Sequence, residues 1–292
     1  MRTGGGGRRR AVVVLLLLSG LLSMGGRAHA PVQAAERTAQ LATAAGPTIV
    51  ATGLVHPYGV AVDSHGTVYI AESGNNRVVK VPAGGHAVLP VVTGLSNPYG
   101  LAVDSHNTLY IAEWGRNRIV TVAAGGHAVL PVATGLFGPY AVAVDSHGTL
   151  YIAESGNGRV VRVPTGGGAS TTVTTHQHGP EGVAVDSHGT VYIAETSIGT
   201  VVMVSAGGGA PTMVTDVLSG PRGMAVDSHG TLYIADHDDD RVVRVPAGGS
   251  TVVPVVTGLS GPSGVAVDSR GTLYIADTNH GRVIKVLAGK GH

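Results

Sequence analysis

Apolar and polar positions alternate in short blocks along this chain, and the blocks return at a fixed interval. Over residues 57–92 four runs stand out: Val60–Asp63, Thr67–Ala71, Arg77–Val81 and Val88–Val92. They are rich in Val, Ile, Ala and Tyr and are separated by Gly, Ser, Asn and Pro. Runs of this length with β-branched residues and such punctuation predict strands. The first two are nearly continuous apolar segments, as expected for strands covered on both faces.

The same unit is written six times. Asp63, Asp104, Asp145, Asp186, Asp227 and Asp268 each close a [GA]-[VLM]-A-V-D segment, always 41 residues apart. Tyr69, Tyr110, Tyr151, Tyr192, Tyr233 and Tyr274 keep the same step, as do the acids Glu72, Glu113, Glu154, Glu195, Asp236 and Asp277. Four strands in about 41 residues is the size of one propeller blade. The turn between the first two strands reads Asp-Ser-His-Gly, with Asn107 in place of Gly in the second copy. Gly and Asn are the residues that accept a left-handed backbone. The predicted fold is therefore all-β, a six-bladed β-propeller. The sixth copy ends after its third strand, and Pro47–Leu54 matches Val88–Leu95 one period earlier. This N-terminal strand is expected to complete blade six and remove the free sheet edges.

The first 30 residues break the pattern. Arg2, Arg8, Arg9 and Arg10 precede the apolar run Ala11–Leu22, and Ala28-His29-Ala30 forms a small-x-small site. That is the layout of a secretory signal peptide, on a Sec or a twin-arginine route. The expected domains are 1–30 signal peptide, 31–46 flexible linker and 47–292 propeller. The expected location is secreted or associated with the cell envelope, with no stable membrane span after cleavage.

The units in P-Y-G-V-A-V-D-S-H-G-T-V-Y-I-A-E-S-G-N-N-R-V-V-K-V (57–81) resemble NHL repeats, and the likeness runs through residues 47–292. With the V-L-P-V-V-T-G-L strand, the chain is also similar to the extracellular sensor propeller of the mycobacterial receptor Ser/Thr protein kinase D, though no kinase domain is present. A looser likeness extends to streptogramin-B lyases and to peptidyl-hydroxyglycine amidating lyases. These resemblances imply either a ligand-sensing ectodomain or a propeller enzyme.

Composition narrows the chemistry. The 292 residues contain no Cys, which excludes disulfides, thiolate zinc sites and cysteine nucleophiles. The formal charge is +1, but residues 1–30 hold five Arg and no acid, leaving 14 basic and 18 acidic groups, or −4, for the rest. With no Lys/Arg cluster, a nucleic-acid partner is not expected. No phosphate loop or nucleophile elbow is present.

Positions that differ between copies mark where one face becomes a site. The residue after the loop Pro is Tyr58, Tyr99 and Tyr140 in blades one to three, then Glu181, Arg222 and Ser263. This slot opens the innermost strand, so the six residues are expected to rim the channel mouth, with the Tyr side suited to stacking on sugars or peptide rings. His178, Glu181, His237, Asp238 and His280 fall on the same face and are candidate ligands for a divalent cation. The acid closing each second strand is followed by Arg five residues later in five copies, which predicts exposed ion pairs. Blade four has Glu195 opposite Thr200, leaving that acid free for other use.

The sequence reading is a non-catalytic, extracellular ligand-binding or sensor module, expected to be monomeric, for a peptide, glycan or protein. The alternatives are a metal-dependent propeller lyase or hydrolase, and a structural envelope protein.

Overall fold

The computed structural model describes residues 46–164 and 166–287; the proposed signal peptide and almost all of the linker lie outside them. The described chain forms six four-stranded antiparallel sheets. Blade one runs from the inner strand β2 (Pro57–Val62) through β3 (Val68–Glu72) and β4 (Arg77–Val81) to the outer strand β5 (Leu89–Val92). The inner strand begins three residues before the predicted Val60, because the loop Pro itself pairs with the closing acid, Pro57 with Glu72. A register shift between Pro57 and Val60 takes up the difference.

Ring closure follows the expectation. The sheet of blade six is made of Pro262–Val267, Thr272–Asp277 and Arg282–Leu287, and its outer strand is β1 (Thr48–Thr52). Thr48 pairs with Lys285 and Thr52 with Arg282, and the Leu54 N–H donates to Gly281 O at 3.0 Å.

Each second strand is a layer of core. Ile70, Ile111, Ile152, Ile193, Ile234 and Ile275 have no exposed surface, and neither have the Ala residues that follow them. In blade one Ile70 and Val79 pack with Val50 and Val283 of blade six, whereas Ala71 and Val78 pack with Leu101 and Ile111 of blade two. Both faces of each second strand are thus covered, which accounts for its unbroken apolar run. Each buried Ile stabilises the ring by about 1.5–3 kcal/mol.

The repeated Asp builds the turn on one face of the ring. Asp63 Oδ1 accepts from the backbone N–H of His65 at 3.0 Å and Thr67 at 2.8 Å, and Tyr69 donates its hydroxyl to Oδ2 at 3.4 Å. Gly66 has φ +85° and Asn107 in the same slot +62°, the left-handed geometry inferred from the residue choice. The Ser-His-Gly histidines are exposed members of these turns. At this end the channel is lined by Val and Ala of all six inner strands with Leu101 and Met224, enclosing about 230 Å³. Among the described residues no helix is long and apolar enough to cross a membrane.

Candidate functional site

The opposite face carries the blade-to-blade differences. Here each closing acid ends its strand; a short 3₁₀ turn follows in five blades, as in Ser73–Asn75 of blade one, and a plain turn over 237–240 in blade five. The acids are the anchors of this face. Glu72 is fully buried; its Oε1 accepts from the Val55 N–H at 2.9 Å and from Asn75 at 2.5 Å, and its Oε2 from Arg77 Nε at 2.5 Å. Glu154 repeats this with the Phe137 N–H at 2.8 Å and Arg159. Asp236 does so with Ser219 and Arg241, and Asp277 with Ser260 and Arg282. Glu113 is buried beneath Arg116 and Arg118. The expected exposed ion pairs therefore have buried acids; in blades one, three, five and six the carboxylate also ties the loop from the preceding blade to its own strand. Glu195 is not free either. It accepts from both the backbone N–H and Nδ1 of His178, each at 3.1 Å, so a histidine from the lead-in loop replaces the missing Arg.

Five of the six rim positions meet around the channel mouth. Tyr99 lies between Tyr58 and Tyr140, with ring centroids 4.6 and 4.8 Å away, and Tyr58 and Tyr140 are 6.3 Å apart. The tyrosines pack on one another, which is worth about 0.5–1.5 kcal/mol per pair beyond burial. The Tyr140 hydroxyl donates to Glu181. Glu181 Oε2 lies 3.2 Å from Arg222 Nε, both atoms out of contact with solvent, as an ion pair without a hydrogen bond between them. Burial raises Glu181 above its ordinary 4.5, against the pull of Arg222 and the Tyr140 hydrogen bond. Burial, then the nearby Glu181 carboxylate, pushes Tyr140 well above 10.0. Ser263, the sixth position, is buried and donates to Gly261 O at 3.4 Å, so it does not reach the mouth as the rim reading required. Its side chain is simply too short.

The candidate cation ligands are not drawn together. His178 is held by Glu195, and His280 donates from Nδ1 to Asp277 at 2.9 Å. His237 donates from Nδ1 to Pro262 O at 3.0 Å. Burial, then Arg222, lowers the His237 pKa below 6.5 and favours the neutral ring. Asp238 is exposed in the blade-five loop, and Glu181 belongs to the mouth. Among the described residues no three His, Asp or Glu side chains gather into a set that would hold a metal ion.

Two residues of this face escaped the sequence reading. Trp114 and Phe137 are the only Trp and the only Phe in the chain, and they are 41 % and 55 % exposed. Both line a groove of about 490 Å³ between blades two and three, with Gly115, Gly138, Gly156 and Gly179 among its walls and Glu181 at one side. Trp114 also approaches Tyr99, with centroids 5.8 Å apart, so the groove continues into the Tyr cluster. The signal was present in the repeat. The slot of Trp114 holds Ser73, Ser155, Thr196, His237 and Thr278 elsewhere, and these are polar clasps: Thr196 donates to Pro221 O and Thr278 to Pro57 O, each at 2.6 Å. An aromatic in a slot that is otherwise hydroxyl or imidazole marks a changed role.

Comparison with known proteins agrees with this architecture. The family description "NHL repeat" matches residues 54–81 and 259–285, and "Strictosidine synthase-like, N-terminal" matches 168–202. The chain is an NHL-type six-bladed β-propeller. Similar solved structures include a gluconolactonase from Xanthomonas campestris, 19 % identical over 85 % of this chain and 92 % of that one, with a TM-score of 0.72. A streptogramin B lyase is 14 % identical over 82 % and 95 %, with a TM-score of 0.63. A chain of the nidogen/laminin complex is 17 % identical over 67 % and 78 %, also at 0.63. At these identities the likeness is one of fold, and a shared fold does not fix a role. No curated protein matches the sequence significantly.

Proposed function

We propose that this NHL-type propeller is a secreted or envelope-associated, non-catalytic binding module that holds an extracellular peptide, glycan or protein on the face bearing Tyr58, Tyr99, Tyr140 and Trp114. One observation carries the reading. The chain's only Trp and only Phe are both exposed on that face and line one groove, where the other blades place small or polar residues in the Trp slot. Exposed aromatics in a preformed concavity are the usual anchors of a binding surface. The acids of the face support the same reading: those closing the second strands tie down loops, so the face is preorganised rather than poised for proton transfer. The resemblance to a kinase sensor ectodomain points the same way.

The propeller-lyase reading rests on a different observation: Glu181, raised by burial, and a neutral His237 both lie on this face near Arg222. Such a pair suits acid–base work, with a divalent cation as the cofactor. A screen of the purified protein against envelope glycans, peptides and proteins, run with divalent cation and with chelator, separates the two. Saturable binding that the chelator leaves unchanged, with the ligand recovered intact, is the expected result. Cleavage of the bound ligand, or binding that requires the cation, would establish the lyase or hydrolase instead.

A further inference from the structure

We infer that the cleft at the seam of the ring, between blades six and one on the turn face, binds a phosphate group; this site lies away from the aromatic face and does not rest on the binding-module reading. Arg270, Lys285, Ser64 and Ser269 are among the residues that line it. The cleft encloses about 560 Å³, against about 120 Å³ for the matching cleft between blades one and two and about 140 Å³ for that between blades three and four. Part of the difference lies in the loop before the outer strand. In blade two, His127 of that loop donates from Nδ1 to Val91 O of blade one at 3.1 Å and bridges the two blades. Its counterpart in blade one, the exposed His86, makes no such bond to β1, so the seam stays open.

The seam also carries more uncommitted positive charge. The other two clefts hold one Lys or Arg each, Lys80 and Arg162, and Arg162 is spent on the Thr171 hydroxyl at 3.0 Å. The seam holds two, because Arg270 stands where the other five turns carry His. Neither the Arg270 guanidinium nor the Lys285 ammonium makes a hydrogen bond or ion pair among the described residues. They bracket the cleft. Lys285 is the cross-strand partner of Tyr274. Burial, then Asp268, raises the Tyr274 pKa, while the Arg270 charge acts against them, so that guanidinium lies near the Tyr274 hydroxyl. The acids of the cleft do not compensate these cations, since the turn already engages them. Asp63 accepts from the His65 and Thr67 N–H groups and the Tyr69 hydroxyl. Asp268 accepts from the Arg270 and Thr272 N–H groups and the Tyr274 hydroxyl.

Two unpaired cations, engaged carboxylates and two serines suit an oxyanion. Arg offers a planar fork of N–H donors and Lys a point charge, and both form their strongest hydrogen bonds to anionic oxygens. A phosphate group has oxygens enough for the fork, the ammonium and a serine hydroxyl together. A carboxylate has only two and meets fewer of these donors at once. Tyr274, the aromatic residue of the cleft, is only 8 % exposed, so no ring face is offered for a nucleotide base to stack on. The ligand is thus recognised by its phosphate alone, whether as the free ion or as the end of a larger molecule.

The test is a calorimetric titration of the protein with inorganic phosphate at low salt and about pH 8, beside the variants Arg270→His and Lys285→Thr. Each variant restores a residue that the same slot holds in another blade, His65 and Thr121, so the fold is kept, which thermal melts check. At that pH the introduced histidine is neutral. The parent is expected to bind phosphate saturably, and each variant to bind about tenfold or more weakly, having lost a charge-assisted contact. Glycerol phosphate and phosphatidylglycerol vesicles, run on all three proteins, distinguish the sources. Variant-sensitive binding of inorganic phosphate alone assigns the free ion, and of glycerol phosphate as well a phosphate ester. Variant-sensitive sedimentation with the vesicles, in the absence of both, assigns a lipid headgroup. Binding unchanged in both variants, or none in any arm, would overturn the site. Acetate bound as tightly as phosphate would overturn the phosphate assignment.

Discussion

A chain lacking residues 47–54 is expected to melt well below the full chain and to associate. The segment holds β1, the strand that completes blade six, together with Leu54. Its removal takes away the buried Val50, Ala51 and Leu54 and unpairs the strand Arg282–Leu287. Lost apolar burial alone costs about 5 kcal/mol for these side chains. For a domain of this size each kcal/mol moves Tm by about 2–4 °C, so a fall of about 10–20 °C is expected. The opened edge presents unpaired N–H and C=O groups, a template for another chain. Calorimetry and light scattering check both parts. A deletion variant that stays monomeric with an unchanged Tm would remove the closure account.

Glu72→Ala is the point substitution expected to cost most. It removes a buried carboxylate that three groups need: the Val55 N–H, Asn75 and Arg77. The Val55 N–H and the Asn75 amide are left unpaired at about 1–3 kcal/mol each, whereas Arg77, 36 % exposed, can turn to solvent. The Tm is expected to fall by about 10 °C. Glu72→Gln keeps an acceptor for the Val55 N–H and is expected to lose less. In blade four the same logic predicts a rescue. His178→Ala removes the partner of Glu195, and Thr200→Arg in that background restores the cation that the other blades use. Thermal melts showing Glu72→Ala equal to the parent, or no recovery in the double variant, would contradict the anchoring role of these acids.

These anchors show how far the sequence could be read. The period of 41, the Asp turn with Gly or Asn at positive φ, and the displaced closing strand were all legible, because each is a local rule repeated six times. Repetition averages away the ambiguity of any one copy. The burial of Glu72 and its equivalents was not legible. Spacing shows that an acid and an Arg can meet, but the third partner, a loop N–H 17 residues upstream, appears only once the blades pack. The site divides in the same way. Comparison of copies located the face and the slots of Tyr58, Tyr99, Tyr140, Glu181 and Arg222. It could not show that the tyrosines stack on one another, nor that Ser263 is too short to reach the mouth. Trp114 and Phe137 were visible as departures from the repeat, but their meeting in one groove depends on two loops from different blades lying side by side.

Whether ligand binding belongs to the aromatic face is decided by comparing binding of the protein to envelope fractions between two variants, Trp114→Ala/Phe137→Ala on that face and His106→Ala/His229→Ala on the turns of the opposite face. His106 and His229 are exposed and contribute no core. The first variant is expected to lose affinity by about tenfold or more while the second keeps it. Equal binding by the aromatic-face variant and the parent, or a loss confined to the histidine variant, would contradict it.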